Sequence, residues 1–290
     1  MIDRRHFLLA GAAFASGCMG YPAESRRARA DFEALQEMLG PGGRLGVAAL
    51  DVASGRRLGH DEDGRYAMAS TFKAPLAGAI LAEVERGALS LDREIPFGRA
   101  DLVPYAPVIE ANLDRGRLPV GRLCAAIVEV SDNVAANLLL ARIGGPEGLT
   151  RFIRRCGDGV TRLDRTEPAL NSNLPGDPRD TTSPAATVGL MRALLLGDVL
   201  GASSRSRLIG WMEGATTGLQ RLRAGLPAGW RVGDKTGNGA NGAANDIAIA
   251  WPPGRGPILI ACYQSGGDAD LAMRNRVHQS VARAVAAAFL

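Results

Sequence analysis

Ser70-Thr71-Phe72-Lys73 stands at the head of an apolar, Ala- and Leu-rich run, and this stretch governs the interpretation of the whole chain. The composition of the run predicts a buried helix over 71–86. One helical turn places positions i and i+3 on the same face, so the amine of Lys73 can reach the hydroxyl of Ser70. A serine hydroxyl is a weak nucleophile until a base removes its proton, and a nearby lysine is one such base. By itself the tetrad is weak evidence, because serine and lysine are common.

The composition of the chain narrows the classes of function. The 290 residues are 46% apolar, enough for one large domain or two closely packed lobes. The net charge of +4 owes much to arginines near the N-terminus, and aromatic residues make up only 5% of the chain. A nucleic-acid partner is therefore not expected. The three histidines are scattered and no Cys-x-x-Cys pair occurs, so a metal site is not expected either.

The N-terminus has the pattern of an export signal. Arg4-Arg5 precedes an apolar stretch through Ala15, which resembles a twin-arginine signal and predicts export to the periplasm by the twin-arginine translocase. The stretch 15–18 resembles a lipoprotein box without its usual leucine, so lipid anchoring through Cys18 stays an alternative. No later stretch has about 20 uninterrupted apolar residues, as a membrane-spanning helix needs.

Patterns along the rest of the chain predict strands at both ends and helices in the middle. Strands are predicted at 45–52, 230–235, 247–251 and 258–263, with a further short strand after a turn at 53–55. Helices are predicted at 31–39, 71–86, 119–129, 132–143, 146–156, 183–196 and 271–290. This order predicts an α/β lobe with an antiparallel sheet of about five strands, made of 31–69 and 214–290 after a signal and linker at 1–30. The residues 70–213 form an inserted all-α lobe, with the active site in the cleft between the two.

Two further motifs lie downstream of the tetrad. Ser131-Asp132-Asn133 precedes a predicted helix, where such residues are also the ordinary helix caps. Asp234-Lys235-Thr236-Gly237 ends a predicted strand, where an exposed lysine would also be ordinary. The ordered set Ser-x-x-Lys, Ser-Asp-Asn and Lys-Thr-Gly is, however, the signature of class A β-lactamases and penicillin-binding proteins. Background residue frequencies make its chance occurrence far rarer than about one in a hundred.

With a fourth motif, the chain resembles a class A serine β-lactamase from about Asp31 to the C-terminus. The residues Arg165-Thr166-Glu167-Pro168-Ala169-Leu170-Asn171 resemble the start of the omega loop of that class, at about 162–181 here. The resemblance implies that Glu167 and Asn171 hold the water that hydrolyses the acyl-enzyme. It also implies that Arg165 and Asp180 form the ion pair at the neck of the loop.

The resemblance implies catalytic roles for the other motif residues. Ser70 would attack the lactam carbonyl after losing its proton to Lys73 or, through water, to Glu167, and the sequence leaves this choice open. The N–H groups of Ser70 and Asn238 would face the developing oxyanion. Ser131 would relay a proton to the lactam nitrogen as the ring opens.

The resemblance also implies how a substrate would bind. Lys235 and Thr236 would hold the substrate carboxylate, and Gly237 would support the strand beside them. Some relatives add an arginine at the position that is Ala244 here, and Arg221 matches the alternative placement.

Three more implications concern the rim of the cleft and the thiols. Asn133 would hold the acylamino side chain, Asp132 would brace its loop, and Tyr105 would form an aromatic gatepost. The usual disulfide partner of Cys124 is replaced by Ala77, so the resemblance implies a free, buried thiol. Whether the other thiols pair is left open.

The leading hypothesis is hydrolysis of small-molecule β-lactam antibiotics through a serine acyl-enzyme, by a monomer without metal or organic cofactor. A DD-peptidase acting on peptidoglycan stems shares the first three motifs but lacks the pair Glu167 and Asn171. A β-lactam sensor, acylated without turnover, is a third hypothesis, although such a domain normally needs a membrane-spanning partner. A non-catalytic envelope lipoprotein is supported only by Cys18.

Overall fold

A computed structural model describes residues 31–290. The twin-arginine pattern and Cys18 lie outside these residues. The predicted mixed architecture is confirmed, because residues 31–290 contain ten helices and a five-stranded antiparallel sheet.

The sheet is built from both ends of the chain. Its strands are β1 (Arg44–Asp51), β2 (Arg57–His60), β7 (Arg231–Asn238), β8 (Ala244–Trp251) and β9 (Ile258–Ser265). They lie in the order β2-β1-β9-β8-β7, and every neighbouring pair is antiparallel. The strand β9 therefore lies at the centre of the sheet, between β1 and β8. These inner strands are covered by the rest of the protein on both faces, which explains their apolar composition.

Helices and short ribbons account for the remaining elements. The first helix, α1, covers 31–37. The others are α2 (Lys73–Glu85), α3 (Pro107–Glu110), α4 (Val120–Glu129), α5 (Asn133–Arg142), α6 (Gly145–Arg155), α7 (Pro184–Leu195), α8 (Ala202–Glu213), α9 (Leu222–Gly225) and α10 (Leu271–Phe289). Two ribbons pair β3 (Tyr66–Ala67) with β6 (Thr181–Thr182), and β4 (Glu94–Pro96) with β5 (Arg117–Pro119). Short 3-10 turns lie at Ala69–Phe72, Arg99–Asp101 and Ala169–Asn171.

The two faces of the sheet belong to different hydrophobic cores. Alternate residues such as Ala48, Ile247 and Ala261 pack with the helices of the middle of the chain. The residues between them, such as Val47 and Ala248, pack with α1 and α10. This division follows from the period of two along a strand, which sends successive side chains to opposite faces.

The structure differs from the predicted elements at several points: β8 begins at Ala244 rather than at 247, and the short elements α3, α9 and β3 to β6 were not predicted. Three further differences concern longer elements. The helix predicted from 71 begins with the 3-10 turn, and α2 proper starts at Lys73. The strand predicted to end at Lys235 continues to Asn238, because it stays paired with β8 up to Ala244. The helix α8 was not predicted as a segment, since only three of its side chains are buried.

The cysteines within the described range are free thiols, and Cys124 is buried, as predicted. Burial raises its pKa far above the usual value. No helix within 31–290 is long and apolar enough to cross a membrane.

His278 on α10 gives the fold a pH dependence. Its ring is completely buried, and Nε2 lies 3.1 Å from the Ala244 carbonyl oxygen, to which it donates, while Nδ1 has no hydrogen-bond partner among residues 31–290. Burial, and then the nearby charge of Arg221, lower the pKa of His278 well below its usual 6.5. Below pH 6.5, His278 therefore binds a proton in the unfolded chain but stays neutral in the folded chain. The contribution of neutral His278 to the free energy of unfolding is fully present above pH 6.5 and is lost as the pH falls toward the folded-state pKa.

We predict that His278→Gln removes this pH dependence. A glutamine amide can still donate to Ala244 but does not titrate. The free energy of unfolding of the native protein, measured by urea denaturation between pH 8 and pH 5, should fall relative to the variant by up to about 1.4 kcal/mol per pH unit below the histidine pKa. A difference between the two proteins that does not change with pH would contradict a neutral buried His278.

Candidate active site

The nucleophile candidate Ser70 lies at the junction between the sheet and the helical middle of the chain. It belongs to the 3-10 turn Ala69–Phe72, whose axis is continued by α2. Ala69 has a φ of 42°, in the left-handed region that L-residues rarely adopt. The first nine residues of α2 are buried, so the Ser70 hydroxyl is held on a rigid element while it remains 9% exposed.

The Lys73 amine is surrounded by oxygen atoms and has no exposed surface. Its Nζ atom lies 2.9 Å from the Ser70 Oγ atom, as the spacing of the tetrad predicts. It donates to the Ser131 carbonyl at 2.8 Å and to the Asn133 Oδ1 atom at 2.5 Å. It also forms a 3.0 Å ion pair with Glu167 Oε1. A carbonyl, an amide oxygen and a carboxylate only accept hydrogen bonds, so these neighbours suit a lysine ammonium.

Burial and charge act on Lys73 in opposite directions. Burial lowers the pKa of Lys73, and the charge of Glu167 and its hydrogen bond partly oppose this effect. An amine that is easier to deprotonate than in water is available for proton transfer with Ser70.

The Ser131-Asp132-Asn133 motif joins α4 to α5 and serves both structure and site. Asp132 is the N-cap of α5, where Oδ1 accepts the Ala135 N–H at 2.8 Å. Its Oδ2 atom accepts the N–H groups of Val108 and Ile109 at 2.9 and 3.0 Å. The cap interpretation therefore describes Asp132, whereas Ser131 and Asn133 turn toward Lys73.

Ser131 lies between the two lysines of the site. Its Oγ atom is 3.3 Å from Lys73 Nζ and 3.1 Å from Lys235 Nζ. Lys235 is fully buried as well, and burial, followed by the charge of Lys73, lowers its pKa to about 7. A hydroxyl between two amines is placed to receive a proton from one side and pass one on.

Glu167 reaches the nucleophile from the omega loop. Its Oε1 atom accepts a hydrogen bond from the Ser70 hydroxyl at 3.2 Å, and Oε2 accepts one from Asn171 Nδ2 at 2.5 Å. The glutamate is only 2% exposed. The predicted pair of Glu167 and Asn171 is thus assembled beside Ser70.

Asn137 on α5 positions Glu167 and was not identified from the sequence. Its Oδ1 atom accepts the Glu167 N–H at 3.0 Å, and its Nδ2 atom donates to the Glu167 carbonyl at 2.9 Å. One amide side chain therefore satisfies both backbone groups of the catalytic candidate. Its sole sequence signal is a polar residue within an apolar helix.

An ion pair closes the neck of the omega loop. Arg165 Nε lies 2.6 Å from Asp180 Oδ2, and Asp180 Oδ1 accepts the N–H groups of Asp164 and Arg165. Asp180 is completely buried. The two sequence-predicted residues therefore meet, and the carboxylate is satisfied by both charge and backbone donors.

The strand β7 lies directly against the turn that carries the nucleophile. A Cβ atom at Gly237 would lie 2.7 Å from the Met68 carbonyl oxygen and 3.0 Å from the Ser70 nitrogen, so only glycine fits. The Asn245 side chain, which was not predicted, donates to the carbonyls of Ala67 and Met68 at 2.9 and 3.0 Å. These contacts fix the distance between the sheet and Ser70.

Arg221 is placed behind the strand rather than in the open cleft. It is 4% exposed, and its guanidinium donates to the Asn245 carbonyl at 2.7 Å and to the Gly237 carbonyl at 3.3 Å. It also donates to Asn238 Oδ1. Burial lowers the pKa of Arg221.

The candidate residues surround one cleft of about 250 Å³. Its lining consists of Ser70, Tyr105, Ser131, Asn133, Asn171, Thr217, Thr236 and Asn238. Tyr105 is 57% exposed at the rim, with a φ of 66°. Thr217, which was not predicted, accepts a hydrogen bond at its Oγ1 atom from the Thr236 hydroxyl at 2.6 Å. Ser70 and the groups beside it thus open onto a pocket of the size of a small molecule.

Comparison with known proteins identifies the family. The profile of the Beta-lactamase enzyme family matches residues 30–289. The chain belongs to this β-lactamase family. The β-lactamase AST-1 of Nocardia asteroides is 49% identical over 84% of this chain and 78% of its own length. The carbapenem-hydrolyzing β-lactamase KPC of Klebsiella oxytoca is 47% identical over 79% of this chain and 78% of its own length.

A solved structure supports the same assignment. The ancestral (GNCA) class A β-lactamase matches with a TM-score of 0.88 and 52% identity, over 90% of this chain and 100% of that one. The class A serine β-lactamase predicted from the four motifs is thereby confirmed. In the part of this β-lactamase that the structure describes, no group of three or more His, Cys, Asp or Glu side chains is placed to hold a metal ion.

We predict that Asn137→Ala loosens the omega loop of this β-lactamase. The variant leaves two partly buried backbone groups of Glu167 without partners, which should lower the free energy of unfolding by about 1 to 3 kcal/mol. Breakdown of the acyl-enzyme should slow more than its formation, as measured by stopped-flow kinetics. Asn112→Ala is the matched control, since Asn112 donates one bond to Val108 within its own turn. Equal losses in both variants would contradict a positioning role for Asn137.

Proposed function

We propose that the chain hydrolyses the amide bond of β-lactams through an ester on Ser70. The contact of Glu167 with both Ser70 and Asn171 carries this proposal, because the first three motifs alone also fit a DD-peptidase. The carbapenem-hydrolyzing relative and the other β-lactamases to which the chain is similar support the same reaction.

In acylation, the Ser70 oxygen forms a bond with the lactam carbonyl carbon. Its proton passes to Lys73 or, through water, to Glu167; both side chains contact the hydroxyl. The N–H groups of Ser70 and Asn238 stabilise the oxyanion, a contribution of about 3 kcal/mol per donor in comparable enzymes. The carbon–nitrogen bond then breaks, and Ser131 delivers its proton to the lactam nitrogen while it takes one in turn from Lys73.

In deacylation, Glu167 removes a proton from a water that Asn171 helps to hold. The water oxygen bonds to the ester carbonyl carbon, the bond from that carbon to the Ser70 oxygen breaks, and the proton that Glu167 took from the water passes to the Ser70 oxygen. The short distance between Glu167 and Ser70 supports this role, because a water held by the carboxylate lies close to the ester. The neck ion pair of Arg165 and Asp180 keeps the loop in place.

Recognition of the substrate rests on the opposite wall of the cleft. The Lys235 ammonium and the Thr236 hydroxyl bind the carboxylate of the lactam, while Asn133 and Tyr105 contact the acylamino side. The Arg221 guanidinium donates its hydrogen bonds to oxygen atoms of β7 and β8. It therefore contributes positive charge from behind Gly237 and Asn238 rather than a direct bond to the substrate.

The organisation and location of the protein complete the proposal. The chain divides into a signal and linker at 1–30, an α/β lobe of 31–69 and 214–290, and an all-α lobe of 70–213. One hydrophobic core lies wholly within 31–69 and 214–290 and supports the α/β lobe, while the other packs one face of the sheet against the residues of 70–213. The twin-arginine pattern supports export of a monomer to the periplasm by the twin-arginine translocase, with lipidation of Cys18 as the alternative.

We predict sustained turnover of a chromogenic cephalosporin by the mature protein, and its complete loss in Ser70→Ala. The variant lacks the only atom that can form the proposed ester. Absorbance kinetics measure the turnover, and intact mass spectrometry measures the adduct. A single stoichiometric burst would favour the sensor or the DD-peptidase, and labelling of another serine would overturn the choice of nucleophile.

We predict that Glu167→Gln traps the acyl-enzyme. General-base catalysis contributes about 100- to 10 000-fold, so the ester should persist by about that factor. Mass spectrometry after mixing with a penicillin should show the mass of one substrate added to the variant, and free enzyme for Glu110→Gln, an exposed glutamate on α3. Rapid loss of the adduct from the Glu167 variant would show that another group activates the water.

A further inference from the structure

A second cleft, separate from the one at Ser70, lies between the omega loop and one end of the sheet. It has a volume of about 480 Å³. Four arginines line it: Arg44, Arg65, Arg165 and Arg179. The only carboxylate in its lining is Asp177. None of the steps of β-lactam hydrolysis uses this cleft.

The four cations are not fully neutralised. Arg44 pairs with Asp61 at 2.6 Å, and Arg165 pairs with Asp180 at the same distance. Arg179 pairs with Asp177 at 2.8 Å.

Arg65 is the cation that is left over. Its Nη1 atom donates to Thr181 Oγ1 at 2.9 Å and to the Val160 carbonyl at 3.2 Å, and both acceptors are neutral. Within residues 31–290, no carboxylate lies within ion-pair distance of its guanidinium. The cleft therefore carries an excess positive charge that is assigned to no partner.

The arginines come from separate parts of the chain. Arg44 begins β1, Arg65 immediately precedes β3, and Arg165 and Arg179 stand near the two ends of the omega loop. A guanidinium presents a planar fork of donors that matches the oxygens of phosphate in pairs. A ligand with several acceptor oxygens can thus be shared between the loop and the sheet.

We infer that this cleft binds a phosphate-type oxyanion and so ties the omega loop to the end of the sheet. Two sources share this chemistry: free inorganic phosphate, and the phosphodiester groups of an envelope polymer. A tetrahedral oxyanion suits the site better than a single carboxylate, because its several oxygens can accept hydrogen bonds from more than one side of the cavity while Arg65 supplies the uncompensated charge.

The test is a titration of the mature protein with inorganic phosphate at constant ionic strength. Binding is measured by NMR from the chemical shifts of the backbone amides of Gly42, Gly176 and Gly266, which line the cleft. A second arm uses poly(glycerol phosphate) at equal phosphate concentration. The shifts should saturate, and Arg65→Gln should weaken the affinity about tenfold. Arg57→Gln on β2 is the matched control, and the rate of β-lactam hydrolysis reports whether each variant is folded.

Each outcome decides the inference. Tighter binding of inorganic phosphate assigns the site to the free anion, and tighter binding of the polymer assigns it to a phosphodiester; either supports the site. Shifts that rise linearly without saturating would overturn it. Equal weakening in Arg57→Gln would overturn it as well. So would unchanged affinity in both Arg65→Gln and Arg179→Gln, a second variant at the exposed end of the loop.

Discussion

The complete burial of the Lys73 amine is the constraint on which the site depends. Removing an ammonium from water costs several kcal/mol unless acceptors replace the solvent. Those acceptors come from three places: Ser70 on the adjoining turn, Ser131 and Asn133 at the junction of α4 and α5, and Glu167 on the omega loop. Three segments that are distant in sequence must therefore close around one side chain. The same closure brings the proposed nucleophile Ser70, the proposed proton relay Ser131 and the carboxylate of Glu167 within hydrogen-bond distance of the Lys73 amine.

In the proposed mechanism, the two halves of the reaction depend on different structural supports. Acylation uses groups fixed by rigid elements, with the turn of Ser70 pressed against β7 so closely that only glycine fits at 237. Deacylation uses Glu167, which is carried by a loop and needs separate ties. Asn137 holds its backbone, and the ion pair of Arg165 and Asp180 closes the neck. The loop residues, rather than the nucleophile, distinguish hydrolysis from stable acylation.

Local patterns predicted most of the fold, and motifs predicted most of the site. The central strands and most of the long helices are apolar runs bounded by Gly- and Pro-bearing loops, and the four motifs name the residues that surround Lys73. What the patterns missed depends on distant partners. Asn137 and Asn245 are single polar residues whose bonds go to remote backbone groups. The end of β7 is set by its pairing with β8, and the burial of Arg221 by the packing of α10, neither of which a local pattern records.

The most direct test of the account is a crystal structure of the Glu167→Gln variant after reaction with a β-lactam. The account predicts an ester on the Ser70 oxygen, with its carbonyl oxygen about 2.7 to 3.1 Å from the N–H groups of both Ser70 and Asn238. The former lactam nitrogen should lie on the side of Ser131. An ester on another residue, or a carbonyl oxygen that points away from both donors, would contradict the central claim.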